Sequence, residues 1–320
     1  MINFWKTLKT PITALAPMDD VTDFVFREIV AITAKPDVLF TEFTSTDGLF
    51  SRGHDKVIRK LRFSELQRPI VAQIWGATPE NFEKAGKYIE ELGFDGIDIN
   101  MGCPDKGVIK KKSGVALIDN HKLAGELIDA VRRGAPNLPL SVKTRLAKDQ
   151  ESTKEWLSSL LSKNIDTLIL HGRGAKGSKD GANWEEIGKA VELKNKLNPE
   201  VLLIGNGDVT SYKEVLEKHK TYGVEGVMIG RGIFQNPWIF EKSAEALVHS
   251  TEKYLDLLLR HTKLFNDTWG KTKNFNIMKK FFKIYVRDFA GADNLRIQLM
   301  ACKNYDEVAT ILYSAICVAG

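Results

Sequence analysis

Cysteine is scarce in this chain, and the scarcity removes two classes of protein at once. The three thiols, Cys103, Cys302 and Cys317, stand at wide and unrelated spacings, so they build neither a disulfide framework nor a cysteine-based metal site. Long apolar runs are missing as well. No stretch approaches the ~20 residues that a membrane-spanning helix needs. Met1 to Thr10 carries Lys6 and Lys9 but leads into no apolar segment of signal-peptide length. The expectation is a cytoplasmic protein, monomeric, with no metal and no membrane partner. A large excess of one charge is also lacking: a net charge of +5 over 320 residues permits a polyanionic partner without demanding one. What remains is a chain 43% hydrophobic and 27% charged, long enough for one large domain and a small one.

Short β-branched runs alternate with amphipathic stretches from the start. The expected strands are Thr13 to Ala16, Val38 to Glu42, Ile70 to Ile74, Gly96 to Asn100, Leu140 to Lys143, Thr167 to His171, Val201 to Gly205 and Gly226 to Gly230. Helical patterns fall between most of them: Pro79 to Leu92 (Thr78 as cap, Gly93 as stop), His121 to Arg133, Ser152 to Lys163, Asn183 to Lys194 and Ser211 to Lys220. The interval Phe43 to Pro69 is less clear. Eight strand–helix units predict an α/β chain folded as a TIM (β/α)8 barrel, with a doubly wound open sheet as the alternative. The barrel is favoured because the first strand runs into Ala16-Pro17-Met18-Asp19 rather than a glycine-rich dinucleotide fingerprint. Beyond Phe240 the strands stop. Ala244 to Phe265, Ile277 to Phe289 and Asp293 to Leu312 read as helices, so residues 1–243 are expected to form the barrel and 244–320 a small all-helical domain.

In such a barrel the C-terminal ends of the strands carry the chemistry. Here they end in Pro17-Met18, Glu42, Gln73, Asn100 with Cys103 just beyond, Lys143 with Arg145, His171 with Arg173, Asn206-Gly207-Asp208, and Gly230-Arg231. The last two units place glycines where strands turn, so exposed backbone N–H groups and Arg231 are expected to cradle a phosphate. Gln73, Lys143 and His171 suit a hydrogen-bonding ring system, and a cation at Lys143 suits negative charge on a reduced flavin. Composition and spacing alone do not name that ligand.

Leu15-Ala16-Pro17-Met18-Asp19, Asp98-Ile99-Asn100-Met101-Gly102-Cys103-Pro104, Val142-Lys143-Thr144-Arg145, Gly205-Asn206-Gly207-Asp208 and Met228-Ile229-Gly230-Arg231-Gly232 together resemble the tRNA-dihydrouridine synthase family, from about residue 12 to 241. The resemblance implies FMN held by Pro17, Met18, Asp19, Gln73, Lys143, His171, Asn206, Gly207, Asp208, Gly230 and Arg231, with NADPH or NADH as reductant. It implies a tRNA uridine flipped into the barrel mouth, reduced by hydride at carbon 6 and protonated at carbon 5 by Cys103, with Asn100 on the uracil edge. A thiol, with an ordinary pKa of ~8.5, is protonated at neutral pH yet able to release its proton. The alternative is a barrel acting on a free pyrimidine, as dihydroorotate dehydrogenase does.

One stretch departs from the family. His171, Arg173, Ala182 and Trp184 stand where expected, but residues 174–181 lack the Thr, Gln and Tyr of the pattern. That loop is expected to touch substrate. Arg145 and Arg173 are expected on the RNA side of the mouth. In the tail, Lys279, Lys283 and Arg287 fall at i, i+4 and i+8, which on one helix makes a basic stripe for RNA, and the resemblance of Ala292-Asp293-Asn294-Leu295-Arg296 to the family's tail makes Arg296 a further candidate. Phe281, Phe282 and Tyr285 read as core, and Cys302 and Cys317 as ordinary core or surface thiols.

Overall fold

A period of two along each strand closes this chain into a barrel. The computed structural model describes residues 3–175, 181–242 and 249–319, the last four by backbone alone. Eight strands, β1 (Ile12–Leu15), β2 (Leu39–Phe40), β3 (Ile70–Trp75), β4 (Gly96–Met101), β5 (Leu140–Leu146), β6 (Thr167–Gly174), β7 (Leu202–Asn206) and β8 (Gly226–Ile229), pair in parallel in chain order, and β8 pairs β1. The circle closes between β1 and β2, where Leu15 N donates to Val38 O and Val38 N to Thr13 O, both at 3.1 Å. A two-residue strand, Thr44–Ser45, extends the pairing at the end of β3.

Residues at alternate positions face opposite sides. Ile12, Ala14, Phe40, Val71, Ile169, Ile204 and Met228 form one buried cluster with Trp5 and Val38. Their strand neighbours Leu15, Leu39, Ile70, Leu168, Leu203 and Val227 belong to a larger cluster that also takes in the helices. The first cluster fills the barrel and the second lies between strands and helices.

The helices start where side-chain caps supply oxygen. Asp23 opens α1 (Phe24–Thr33), Asn120 opens α3 (His121–Gly134), Asp149 opens α4 (Gln150–Leu161), Asn183 opens α5 (Trp184–Leu197) and Ser211 opens α6 (Tyr212–Tyr222), each accepting a backbone N–H of the first turn. Helix α2 (Pro79–Glu91) carries proline in its first turn, and Gly93, at φ +77°, lets the chain turn away after it.

Three expectations needed correction. The second strand is shorter than Val38 to Glu42, and the interval after it holds only short turns such as Thr46–Leu49 and His54–Val57. The fifth and sixth strands run further than expected, with a register shift between Arg145 and Leu146. The stretch Ile277 to Phe289 is no single helix but two turns, Asn276–Lys279 and Phe282–Tyr285, and Val286, at φ −110°, ψ 84°, leaves the helical region and ends the second.

After β8 comes a 3₁₀ turn, Arg231–Phe234, rather than a long helix. The expected helix from Ala244 begins at Thr251 among the described residues; 243–248 lie outside them. This α7 (Thr251–Trp269) packs on α1 of the barrel, and α9 (Tyr305–Ala319) packs on α7 while also meeting α8 (Ala292–Ala301). The seam is aromatic: Phe26 stacks on Phe281 at 5.3 Å and meets the His261 ring at 5.8 Å. Burial pushes His261 down to about 4, so it is neutral, and its Nδ1 lies 2.9 Å from the Tyr285 hydroxyl. Phe281, Phe282 and Tyr285 are core, as expected, and Cys302, left open between core and surface, is buried; the Cys317 side chain lies outside the described residues. No described helix is long and apolar enough to cross a membrane.

Candidate active site

Two residues beyond the apolar layer inside the barrel, the same faces turn polar. Val71 is followed in phase by Gln73, Ile169 by His171, Ile204 by Asn206 and Met228 by Gly230, while Asp98-Asn100 and Ser141-Lys143 continue the ring on β4 and β5. Strand register sets Asn100 beside Lys143, Arg145 beside His171, and His171 beside Asn206. Above this ring opens a cavity of about 690 Å³. Of the expected cofactor residues, Pro17, Met18, Lys143, His171, Asn206, Gly207, Asp208, Gly230 and Arg231 line it, and so does Arg145. Asp19 and Gln73 do not. Asp19 pairs with Lys60 at the rim, and Gln73 is fully buried beneath the mouth.

Positive charge dominates this space. Burial first, then the cations Lys143, Arg145, Arg173 and Arg231, push His171 down to about 2, so its imidazole is neutral at physiological pH. Burial and the neighbouring Arg145 lower Lys143 to about 8. Crowded cations that depress one another are the arrangement an anionic ligand relieves. Asp208 is the local counter-charge. Burial works against its ionisation, but donors from Arg173 (2.9 and 3.0 Å) and the Ala182 N–H (2.7 Å) hold its carboxyl below the usual range. It also accepts from Arg231 at 3.3 Å. Asp208 therefore clamps two arginines at the rim. Among the described residues the buried Arg173 Nε finds no acceptor.

The glycines of this end differ in purpose. A Cβ on Gly232 would lie 2.1 Å from the Val209 carbonyl, so that glycine serves packing. A Cβ on Gly230 would meet nothing nearer than Ala16 at 3.6 Å and Met18 Sδ at 3.8 Å, so it would project into the cavity. Gly230 keeps its backbone open to a ligand. The helical end expected after β8 is instead the short 3₁₀ turn, and α6 after β7 is capped by its own Ser211.

Cys103 sits on the loop after β4, half-buried. Its backbone N–H and that of Gly102 both donate to Asn100 Oδ1, at 2.9 and 3.1 Å. Its carbonyl accepts from Val115 N at 3.1 Å, a closure that Gly114, at φ +61°, makes room for: a Cβ there would lie 2.4 Å from the Cys103 oxygen. Arg145 Nε donates to Gly102 O at 2.8 Å, tying the loop to β5. Burial raises the Cys103 pKa, so the group is a thiol with a proton to give. Residues Gly102 to Gly114 thus form a braced loop that presents one protonated sulfur.

A family model described as dihydrouridine synthase matches residues 14–318. The chain belongs to the dihydrouridine synthase family. It is 45% identical over 315 residues to a probable tRNA-dihydrouridine synthase 2 of Bacillus subtilis (strain 168), covering 97% of this chain and 95% of that one. It is 44% identical over 314 residues to a probable tRNA-dihydrouridine synthase of Staphylococcus aureus (strain COL), at 97% and 94% coverage. Among solved structures, a 2-naphthoyl-CoA reductase in complex with 2-naphthoyl-CoA superposes with a TM-score of 0.53 at 12% identity, over 72% of this chain and 49% of that one. An amine oxidase acting on 6-hydroxypseudooxynicotine, from Pseudomonas geniculata N1, gives 0.53 at 10% identity, over 81% and 53%. These two establish likeness of fold alone.

In this chain the basic tail does not form the expected stripe. Arg287 lies past the helical turns, where it donates to the Gln235 carbonyl of the barrel and pairs with Asp288 at 3.1 Å. Lys280 donates to Asp20 O, and Lys273 pairs with Asp23 at 3.0 Å. These cations fasten the tail to the barrel. Lys279, Lys283 and Arg296 do come together, around a cleft of about 550 Å³ with Phe282 and Met300. Of loop 174–181, residues 176–180 lie outside the described ones. Sequence reasoning passed over Asp98 and Ser141, although Asp98-Ile99-Asn100 alternates polar and apolar, and that puts Asp98 on the Asn100 face.

Proposed function

We propose that this protein reduces the 5,6 double bond of uridine in tRNA, with FMN in the cavity and Cys103 as the proton donor. The observation that carries the proposal is the pairing of an electropositive cavity with a half-buried, protonated thiol on the adjoining loop. Bound FMN would supply hydride transfer, drawing its electrons from NADPH or NADH. The residues fit that group: Gly230 leaves backbone open where a phosphate would rest, Arg231 flanks it, and Lys143 offers a cation for charge on a reduced ring. Pro17, Met18, His171, Asn206 and Gly207 would complete the walls.

A uridine must leave its stack to bring carbons 5 and 6 to this depth. Carbon 6 gains the hydride, and carbon 5 gains the proton from Cys103 Sγ as the sulfur becomes thiolate. Arg145, bonded to the Cys103 loop, favours that thiolate electrostatically. Asn100 Nδ2 keeps one hydrogen beyond its bond to Gln73, available to a uracil carbonyl. Lys279 and Lys283 would take tRNA phosphates outside the barrel, beside Arg296, whose guanidinium already pairs with Asp293 and donates to the Val286 carbonyl. The test is nucleoside mass spectrometry of unmodified tRNA after incubation with FMN-loaded protein and NADPH. A rise in dihydrouridine is expected. Turnover of free uracil or orotate with none on tRNA would contradict the proposal.

A further inference from the structure

Below the cavity runs a line of side chains whose hydrogen bonds all point one way. Asp98, fully buried on β4, accepts from Ser141 Oγ through Oδ1 at 2.5 Å and from Gln73 Nε2 through Oδ2 at 2.7 Å. A carboxylate only accepts, so the Gln73 atom turned toward it has to be the amide nitrogen. Gln73 Oε1 is left on the far side, where it accepts from Asn100 Nδ2 at 3.1 Å. Asn100 Oδ1 is thereby turned to the Gly102 and Cys103 N–H groups. Each amide is oriented by the one before it, and the first by a carboxylate. Gln73 is fully buried, and its backbone N–H is held by Thr41 Oγ1 at 3.1 Å.

We propose that Asp98 is a positioning residue for Cys103: by orienting the Gln73 and Asn100 amides in series, it holds the Gly102–Cys103 backbone and so the place of the thiol. The mechanical part stands on the geometry alone, and its catalytic consequence rests on the reading of Cys103 as the acid. Without Asp98 the Gln73 amide is free to reverse, and a reversed Gln73 sets its NH2 against that of Asn100, whose oxygen can then serve Gln73 or the two loop N–H groups but not both. A reversed Asn100 amide would set its NH2 against two N–H donors, and the loop would part from it. The two partners of Asp98 differ in kind. Gln73 passes the polarity on, whereas Ser141 is a hydroxyl that can rotate and passes on nothing. Asp98→Asn keeps the relay, since its oxygen still receives Gln73 while its NH2 is accepted by a turned Ser141 Oγ. Asp98→Ala breaks it.

The experiment follows the rate of Cys103 alkylation by iodoacetamide against pH, read on the Cys103 peptide, in the full chain with saturating FMN. It is paired with kcat and KM for tRNA. Asp98→Ala is expected to move the alkylation midpoint to lower pH, as the sulfur loses the burial that raises it, and to cut kcat roughly tenfold or more, with a smaller change in KM from the Asn100 contact to the uracil edge. Asp98→Asn and Ser141→Ala are expected to behave as wild type. Should Asp98→Ala fail to fold, Gln73→Met cuts the same relay midway and is expected to shift the same midpoint. A wild-type midpoint in the relay-breaking variant, or an equal shift in Ser141→Ala, overturns the proposal. A shift in Asp98→Ala from a protein that makes no dihydrouridine supports the positioning role and removes only the functional reading above it.

Discussion

Two regions of this molecule are rich in cations and use them oppositely. At the barrel mouth, Lys143, Arg145 and Arg231 line one cavity, and Asp208 on its wall pairs with Arg231 and with Arg173 beside it. In the tail, Lys273, Lys280 and Arg287 each reach a specific acceptor on, or facing, the barrel. The first set stores unfavourable charge for a ligand to relieve, and the second fastens two parts of the chain. A lysine count distinguishes neither from the other. Placement relative to the strand ends does.

The comparison can be broken at either region. The largest effect is expected from Lys143→Met, which removes the cation nearest the Asn100 end of the ring. Uridine reduction should fall by about 10²-fold or more in kcat, measured by dihydrouridine formation at saturating tRNA; an unchanged kcat would place Lys143 outside the reaction. Arg231→Ala should weaken FMN binding roughly tenfold, read by flavin fluorescence titration, with the loss growing smaller for riboflavin, which has no phosphate. In the tail, Lys279→Ala with Lys283→Ala should weaken tRNA binding and lower its salt dependence by about one in slope for each phosphate no longer neutralised. Lys280→Ala should leave that slope alone and lower thermal stability instead, by about 1 kcal/mol. If Lys280→Ala changed the slope and the Lys279/Lys283 pair did not, the roles assigned to the two sets would be reversed.

The ligand-free protein should also show a pH dependence. Lys143 titrates lower in the folded chain, at about 8, than the 10.5 of a free lysine, so charging it opposes folding. Its contribution to stability is complete above about pH 10.5 and is lost as pH falls through about 8. Urea denaturation across that window should show the slope in ligand-free wild type and not in Lys143→Met. Saturating FMN should flatten it by pairing the charge.

Much of the mouth was legible because strand phase is a strict constraint. Once Ile169 and Ile204 are read as inward-facing, His171 and Asn206 must reach the mouth. Two kinds of feature were not legible. The polar layer of Asp98, Gln73 and Ser141 lies inside the barrel, where sequence reading expects apolar residues. Its members are recognisable only when the register brings them together. The tail resisted for a different reason. Spacing at i, i+4 and i+8 implies a stripe only if one helix spans all three positions, and Val286 ends the helical turns before Arg287. Gln73 shows both effects in one residue: its strand end was read correctly, yet its amide is spent on Asp98 and Asn100 beneath the cavity rather than on the cavity wall.

The central claim is that Cys103 supplies the proton at a flavin-bearing barrel mouth. The most direct measurement is a single turnover: protein with FMN reduced in advance, mixed with unmodified tRNA, followed by flavin absorbance and by nucleoside mass spectrometry. Wild type is predicted to form one dihydrouridine for each flavin oxidised. Cys103→Ala is predicted to bind and hold reduced FMN normally while forming dihydrouridine at least about 10²-fold more slowly. Dihydrouridine formed by Cys103→Ala at the wild-type rate would contradict the account.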